Sequence, residues 1–89
     1  MRLKAKRDAV EPDIVTALLK AGATVTKLSQ RGVLDLLVGW NHRFMLMECK
    51  SEDGELTDDQ VAFMEYHSGC PMRIVRTPAE ALLALKELA

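Results

Sequence analysis

The sequence lacks long apolar runs, contains few cysteines and has almost no net charge, and each of these shortages excludes a class of protein. Apolar stretches such as 44–47 fall far short of the ~20 residues that a membrane-spanning helix needs, which argues against a membrane protein. Only Cys49 and Cys70 are present, and we expect reduced thiols rather than a disulfide framework. A net charge of −1 does not by itself indicate a nucleic-acid partner.

What remains is the composition of one globular domain. Of the 89 residues, 48% are hydrophobic and 28% are charged, which excludes a disordered chain and favours a single domain over residues 1–89. Residues 1–10 carry four cations and one acid but no apolar segment behind them, so we expect no secretory signal and a cytoplasmic protein. Residues 11–89 have a net charge of −4, so any polyanion must be bound by a local basic patch. A core this small favours burial against a second copy, and we expect a homodimer.

Apolar spacing and the residues that begin and end helices and strands predict seven elements in the order α-β-β-β-α-β-α. A first helix over 8–21 has apolar residues at helical spacing and is stopped by Gly22. The other elements are predicted as strands at 23–28, 33–40, 43–51 and 72–76, a helix from 57 to 67 or 68, and a last helix from Pro78. Strands 33–40 and 43–51 are apolar on both faces, which predicts an α/β fold with a mixed central sheet flanked by helices.

Residues 41–42, an Asn-His pair suited to a tight hairpin turn, are all that separates these two strands. With this turn Trp40 faces Arg43, and the residue numbers of every opposed pair in the two strands add up to 83. Asp35 is therefore expected opposite Glu48 on one face of the sheet, with Lys50 two residues further along the same face. Two like charges at such a position repel each other, so we expect a cation between them.

A pair of carboxylates in a partly dry cleft is a ligand set for a hard divalent cation such as Mg²⁺, to which the strand backbone can add a carbonyl oxygen. A metal-bound water is easier to deprotonate, and the metal stabilises charge on a phosphoryl oxygen. Lys50 is suited to holding the attacking water or neutralising the pentavalent state, and Glu11 to acting through water if the first helix covers this face. The combination predicts phosphodiester hydrolysis. Removing the charge of either Asp35 or Glu48 is expected to stabilise the metal-free protein.

Each of these residues also has a plainer interpretation. Glu-x-Lys on a strand is usually a solvated ion pair, and a lone Asp beside a turn is usually a turn residue. Here the Glu-x-Lys motif ends an apolar run, and Asp35 interrupts one, where an unpaired charge is costly. Gln60 is explained most simply as the last residue of a capping box that starts at Thr57, with contact to substrate or water as a further role. Zinc is disfavoured because no C-x-x-C is present and Cys49 faces away from Glu48.

Three segments, QRGVLDLLVG (30–39), ECK (48–50) and LTDDQ (56–60), resemble the VRR-NUC (virus-type replication-repair nuclease) domain of the PD-(D/E)XK superfamily. The similarity extends from the first helix to the last. It implies catalytic roles for five residues, Glu11, Asp35, Glu48, Lys50 and Gln60. It also implies that Asp35 and Glu48 bind Mg²⁺ or Mn²⁺ together with the carbonyl of Cys49. Leu34 stands where the family commonly has Pro, and we expect it to alter the turn rather than abolish activity.

The resemblance further implies a function and partners. The family includes stand-alone virus and phage proteins of about this size that are similar to Holliday-junction resolvases and act as homodimers. It therefore implies a metal-dependent endonuclease for branched DNA in a bacterial or phage-infected host cell. A dimer would also combine two copies of the basic start with Lys27, Arg31, Arg73 and Arg76 into a positive surface. The alternative is a module of the same fold that binds DNA or a protein partner with weak catalysis or none.

Overall fold

Three helices and four strands make up the computed structural model, which describes residues 7–88. Their order is α-β-β-β-α-β-α, as predicted. The helices are α1 (Glu11–Lys20), α2 (Asp58–Tyr66) and α3 (Pro78–Lys86), and the strands are β1 (Thr24–Lys27), β2 (Leu36–Trp40), β3 (Arg43–Cys49) and β4 (Met72–Val75). Within the described residues, no helix combines the length and the apolar character needed to cross a membrane.

The sheet is mixed and has the strand order β1-β2-β3-β4. The first three strands are antiparallel neighbours, and β4 is parallel to β3 because the chain returns through α2 before it enters β4. The β2–β3 hairpin pairs Leu36 with Met47, which confirms the predicted register. Its turn residues, Asn41 and His42, have φ angles of 55° and 63°, the left-handed geometry that a two-residue turn of this kind requires.

One face of the sheet packs against α1 and α3 and forms the hydrophobic core. The largest contributions come from the buried side chains of α1, β2, β3 and α3, namely Ile14, Leu18, Leu36, Val38, Met45, Met47, Cys49 and Leu85. Because successive side chains of a strand alternate between its faces, Glu48 projects to the opposite face from Met47 and Cys49. There it meets Gln60 in the first turn of α2. The core thus fixes α1 on one face of the sheet, and the first turn of α2 reaches the other face.

Several element boundaries differ from those predicted, and three of the differences concern candidate site residues. β2 begins at Leu36 rather than at 33, β3 ends at Cys49 rather than at 51, and α1 begins at Glu11 rather than at 8. The reason at β2 is a turn before the strand, in which Gly32 has a φ of 83°. Asp35 and Lys50 therefore lie one residue beyond the strands, where the alternation of side chains no longer dictates their direction.

Candidate active site

Glu48, the last residue but one of β3, is a carboxylate with only 2% of its surface exposed. Its Oε1 accepts a hydrogen bond from the backbone N–H of Asp35 (3.1 Å), and its Oε2 accepts one from Nε2 of Gln60 (2.8 Å). The Oε2 atom also lies 3.2 Å from Nζ of Lys50. Burial and, after it, the charge of Asp35 raise the pKa of Glu48, whereas Lys50 and Gln60 act in the opposite direction.

Asp35 is joined to the end of β3 by a reciprocal pair of hydrogen bonds. Its Oδ2 accepts from the backbone N–H of Cys49 (2.9 Å), while Glu48 accepts from the backbone N–H of Asp35. Asp35 also belongs to a group with Glu11 and Cys49, in which one carboxylate oxygen of each acid and the thiol sulfur all lie within 4.8 Å of one another. The hairpin register did not predict this second group, because Asp35 precedes β2 and its side chain is not restricted to one face.

Arg7 contacts the site, although the sequence indicated no role for it beyond the basic start of the chain. Its Nε lies 3.0 and 2.8 Å from the two carboxylate oxygens of Glu11. Its terminal nitrogens donate to the carbonyl oxygens of Leu28 (3.1 Å) and Asp35 (3.2 Å). Glu11, with 2% of its surface exposed, is thereby held next to Asp35. The available signal was the spacing of four residues between the opposite charges of Arg7 and Glu11.

Lys50 follows the last residue of β3 and is fixed through its backbone. Its N–H donates to the carbonyl of Val75 (3.1 Å), and the next N–H, that of Ser51, donates to a carboxylate oxygen of Asp8 (2.9 Å). The side chain is 15% exposed, so the ammonium group is close to Glu48 and remains accessible from solvent. This geometry leaves the lysine able to reach a ligand that approaches the end of the sheet.

Gln60 has the capping role that the sequence predicted and also a contact with a site carboxylate that the sequence did not predict, while its contact with substrate or water stays a prediction. Its Oε1 accepts from the backbone N–H of Thr57 (3.0 Å) and its own backbone N–H donates to the Thr57 hydroxyl (3.2 Å), which confirms the capping box. The other end of the same amide, Nε2, donates to Glu48. The cap therefore fixes the amide so that its donor end faces the carboxylate. Within the described residues, Nε2 of Gln60 therefore contacts Glu48, and the buried Gln60 side chain does not lie at an exposed surface.

The residues at this end of the sheet fit a hard divalent cation. Two carboxylates, those of Asp35 and Glu48, and the carbonyl of Cys49 are oxygen ligands of the type that Mg²⁺ and Mn²⁺ prefer. Within residues 7–88, Oδ1 of the half-buried Asp35 has no hydrogen-bond donor. Burial and the neighbouring carboxylates raise the pKa of the Cys49 thiol well above its ordinary value, and a hard cation prefers oxygen to sulfur.

The basic start and four further cations, Lys27, Arg31, Arg73 and Arg76, were predicted to form a positive surface in a dimer. Of these, Arg7, Arg73 and Arg76 are engaged within the chain. Arg73 pairs with Glu87, and NH1 of Arg76 donates to the carbonyls of Ser51 and Gly54 (2.7 and 2.8 Å). Lys27 and Arg31 are exposed. Three further cations of the basic start, Arg2, Lys4 and Lys6, lie outside the described residues.

Leu34, which stands where the resembled family commonly has Pro, is completely buried. It follows a turn in which the N–H of Val33 donates to the carbonyl of Gln30 (3.3 Å), with Gly32 in the left-handed region. The neighbouring Asp35 keeps its two hydrogen bonds to the end of β3. The departure from Pro therefore coexists with an intact connection between Asp35 and β3.

The structure as a whole is an α/β fold with a mixed sheet. A lysine and several carboxylates lie together where β2 begins and β3 ends. Among solved structures, the chain is similar to one described as a "VRR_NUC domain", with a TM-score of 0.72 and 21% sequence identity over 90% of this chain and 94% of that chain. No family model matches the sequence, and no curated protein matches it. The chain therefore has the fold of a VRR-NUC domain, as the motifs of its sequence predicted.

Proposed function

We propose that this chain is a metal-dependent nuclease that hydrolyses phosphodiester bonds in DNA. The observation that carries the proposal is the set of contacts around the buried carboxylate of Glu48. The backbone of Asp35, the ammonium group of Lys50 and the amide of Gln60 all contact it. The similarity to a VRR_NUC domain supports the same conclusion independently of these contacts. The fold places this group at one end of a sheet, where a phosphate can approach from solvent.

In the proposed reaction Asp35 and Glu48, with the carbonyl of Cys49, hold Mg²⁺ or Mn²⁺. The bound cation makes its water easier to deprotonate and stabilises charge on the phosphoryl oxygens. Lys50 orients the attacking water or neutralises the charge of the pentavalent state, since its ammonium group is next to Glu48 but not buried. Gln60 keeps Glu48 in position through its Nε2 donor. Glu11 lies next to Asp35 and contributes negative charge on the side covered by α1.

The proposed substrate is branched DNA such as a Holliday junction. Support comes from the resemblance to stand-alone members of the family and from the charge of one chain, which is −1 in total although Lys27, Arg31 and other cations are exposed. A near-neutral protein that binds a polyanion needs a concentrated patch, which two copies would supply. The runner-up is a module of this fold that binds DNA without cutting it.

Cleavage assays separate these two functions. We expect the purified protein to cut a labelled four-way junction in millimolar Mg²⁺ or Mn²⁺, to cut linear duplex and flap substrates more slowly, and to cut nothing in chelator. The reason is that the carboxylates of Asp35 and Glu48 need a cation to act on a phosphate. Binding of the junction without cleavage in either metal would contradict the nuclease proposal and favour the binding module.

A homodimer in solution is a separate part of the proposal. The domain is small, and large apolar side chains remain exposed in one copy, with Phe44 64% and Leu83 62% exposed. Cleavage of two strands of a symmetric junction also calls for two sites related by a two-fold axis. We expect sedimentation at micromolar concentration to give twice the mass of one chain. A monomer that still cuts junctions in matched strand positions would contradict this part.

A further inference from the structure

Arg7 makes more contacts at the site than an arginine in a surface ion pair. Its guanidinium is bound by acceptors from three parts of the chain, the Glu11 carboxylate in α1, the Leu28 carbonyl after β1 and the Asp35 carbonyl before β2. The Glu11 side chain is 3% exposed and the Arg7 side chain 27%. An exposed ion pair contributes little, but a buried carboxylate that loses a cationic partner is costly.

The carboxylates of the site differ in what neutralises them. Glu11 is paired with Arg7, and Glu48 is paired with Lys50. Asp35 accepts a hydrogen bond from the backbone of Cys49, and within residues 7–88 it forms no ion pair. Among the described residues, Glu11, Asp35 and Glu48 therefore share two cations, and the carboxylate without an ion pair favours a divalent cation.

Asp35 adjoins both other carboxylates. The proposed metal position pairs it with Glu48, whose Oε1 accepts from the Asp35 backbone N–H, and a second position would lie between Asp35 and Glu11, whose carboxylate oxygens approach within 4.8 Å. At the second position both oxygens of Glu11 are already bound by Nε of Arg7. A divalent ion there would stand close to a guanidinium in a poorly solvated environment, where repulsion between like charges is strong.

We propose that the Arg7 guanidinium takes the place of a second metal ion, so that the site binds one divalent cation, at Asp35 and Glu48, rather than two. The inference rests on the proposed nuclease function, because it assumes that Asp35 and Glu48 are metal ligands. It assigns Arg7 as a positioning residue, which acts through Glu11 and the Asp35 backbone rather than by touching the substrate. Glu11 then contributes charge and shape to the site without binding the metal directly.

The test is the number of Mn²⁺ ions bound per protomer, measured by titration calorimetry and by the electron paramagnetic resonance signal of free Mn²⁺. We expect one ion for wild type, and two, the second weaker, for Arg7→Gln, in which Glu11 is released to act as a ligand. Arg7→Lys keeps the charge and is expected to bind one. The matched control is Arg76→Gln, which removes an arginine that also binds backbone carbonyls but no site carboxylate, and it is expected to bind one.

Thermal unfolding in chelator supplies a second readout. Arg7→Gln is expected to melt below wild type because it leaves Glu11 buried without its cation, and millimolar Mn²⁺ is expected to narrow that difference. If Arg7→Gln does not fold, Glu11→Gln decides the question, since a Glu11 that is not a ligand can lose its charge while one Mn²⁺ is still bound.

The outcomes also distinguish this inference from the proposed function. Two Mn²⁺ ions on wild type, or one on both wild type and a folded Arg7→Gln, would overturn the role of Arg7 and leave the nuclease proposal standing. Loss of Mn²⁺ binding in Glu11→Gln would overturn it as well. No Mn²⁺ bound to wild type at millimolar concentration would remove the proposed metal site itself.

Discussion

Lys50→Met is expected to lower the rate of DNA cleavage by at least about 10²-fold, the scale on which loss of one charge-stabilising group acts in other enzymes. The variant keeps most of the apolar stem of the side chain and removes the ammonium group that lies 3.2 Å from Glu48. Glu48 retains its donors from Gln60 and from the backbone of Asp35, so the fold is expected to persist. Binding of DNA is expected to be nearly unchanged, because the lysine acts in the transition state.

Single-turnover cleavage of a junction at saturating Mn²⁺ measures this effect, and filter binding or fluorescence anisotropy measures DNA affinity alongside it. Lys86→Met is a matched control, because Lys86 is an exposed lysine in the last turn of α3. It is expected to cut at the wild-type rate. A Lys50→Met protein that cuts as fast as wild type would contradict the catalytic assignment, whereas equal losses for both variants would point to a general effect of charge.

The second large effect is a difference in melting temperature between Asp35→Asn and Glu48→Gln, two variants that the sequence alone predicts to behave alike. Asp35→Asn is expected to melt above wild type in chelator, because it removes the charge that raises the pKa of Glu48 and keeps an oxygen to accept from Cys49. Relief of repulsion between opposed carboxylates is worth up to about 1 kcal/mol. In a domain of this size that corresponds to roughly 4–8 °C.

Glu48→Gln is expected to melt below wild type, which reverses the expectation drawn from the sequence for this residue. Within the part of the chain that the structure describes, Glu48 has three partners and all are donors: the N–H of Asp35, Nε2 of Gln60 and Nζ of Lys50. A glutamine in its place presents an NH₂ group to at least one of them, and an unsatisfied buried donor costs about 1–3 kcal/mol. The charge of Glu48 is unfavourable to bury, but the donors around it are arranged for a carboxylate.

Thermal unfolding of the three proteins in chelator and then in millimolar Mg²⁺ or Mn²⁺ measures both effects. Metal is expected to raise the melting temperature of wild type more than that of either variant, since a ligand stabilises only the state that binds it. Both variants are expected to lose cleavage. Equal stabilisation of all three proteins by metal would show that Asp35 and Glu48 do not share a cation, and a lower melting temperature for Asp35→Asn in chelator would contradict the repulsion argument.

The order of elements, the mixed sheet and the hairpin register followed from the sequence because each depends on local patterns. Two apolar strands separated by residues 41–42 have one register that keeps a two-residue turn, and that register, continued one residue before β2, brings the backbone of Asp35 to Glu48. The capping box from Thr57 to Gln60 is likewise local, since its two hydrogen bonds join residues three positions apart. Turn chemistry and side-chain period therefore determined which acids could meet.

Only the tertiary structure decided how those acids are neutralised. The contacts of Arg7 with Leu28 and Asp35 join residues 21 and 28 positions apart, and no periodic pattern records such a pairing. The approach of Glu11 to Asp35 depends on how α1 packs against the core, and the direction of Asp35 depends on its position one residue before β2 begins. Contacts beyond strand ends are set by packing between distant segments, because there the backbone ladder no longer fixes where a side chain points.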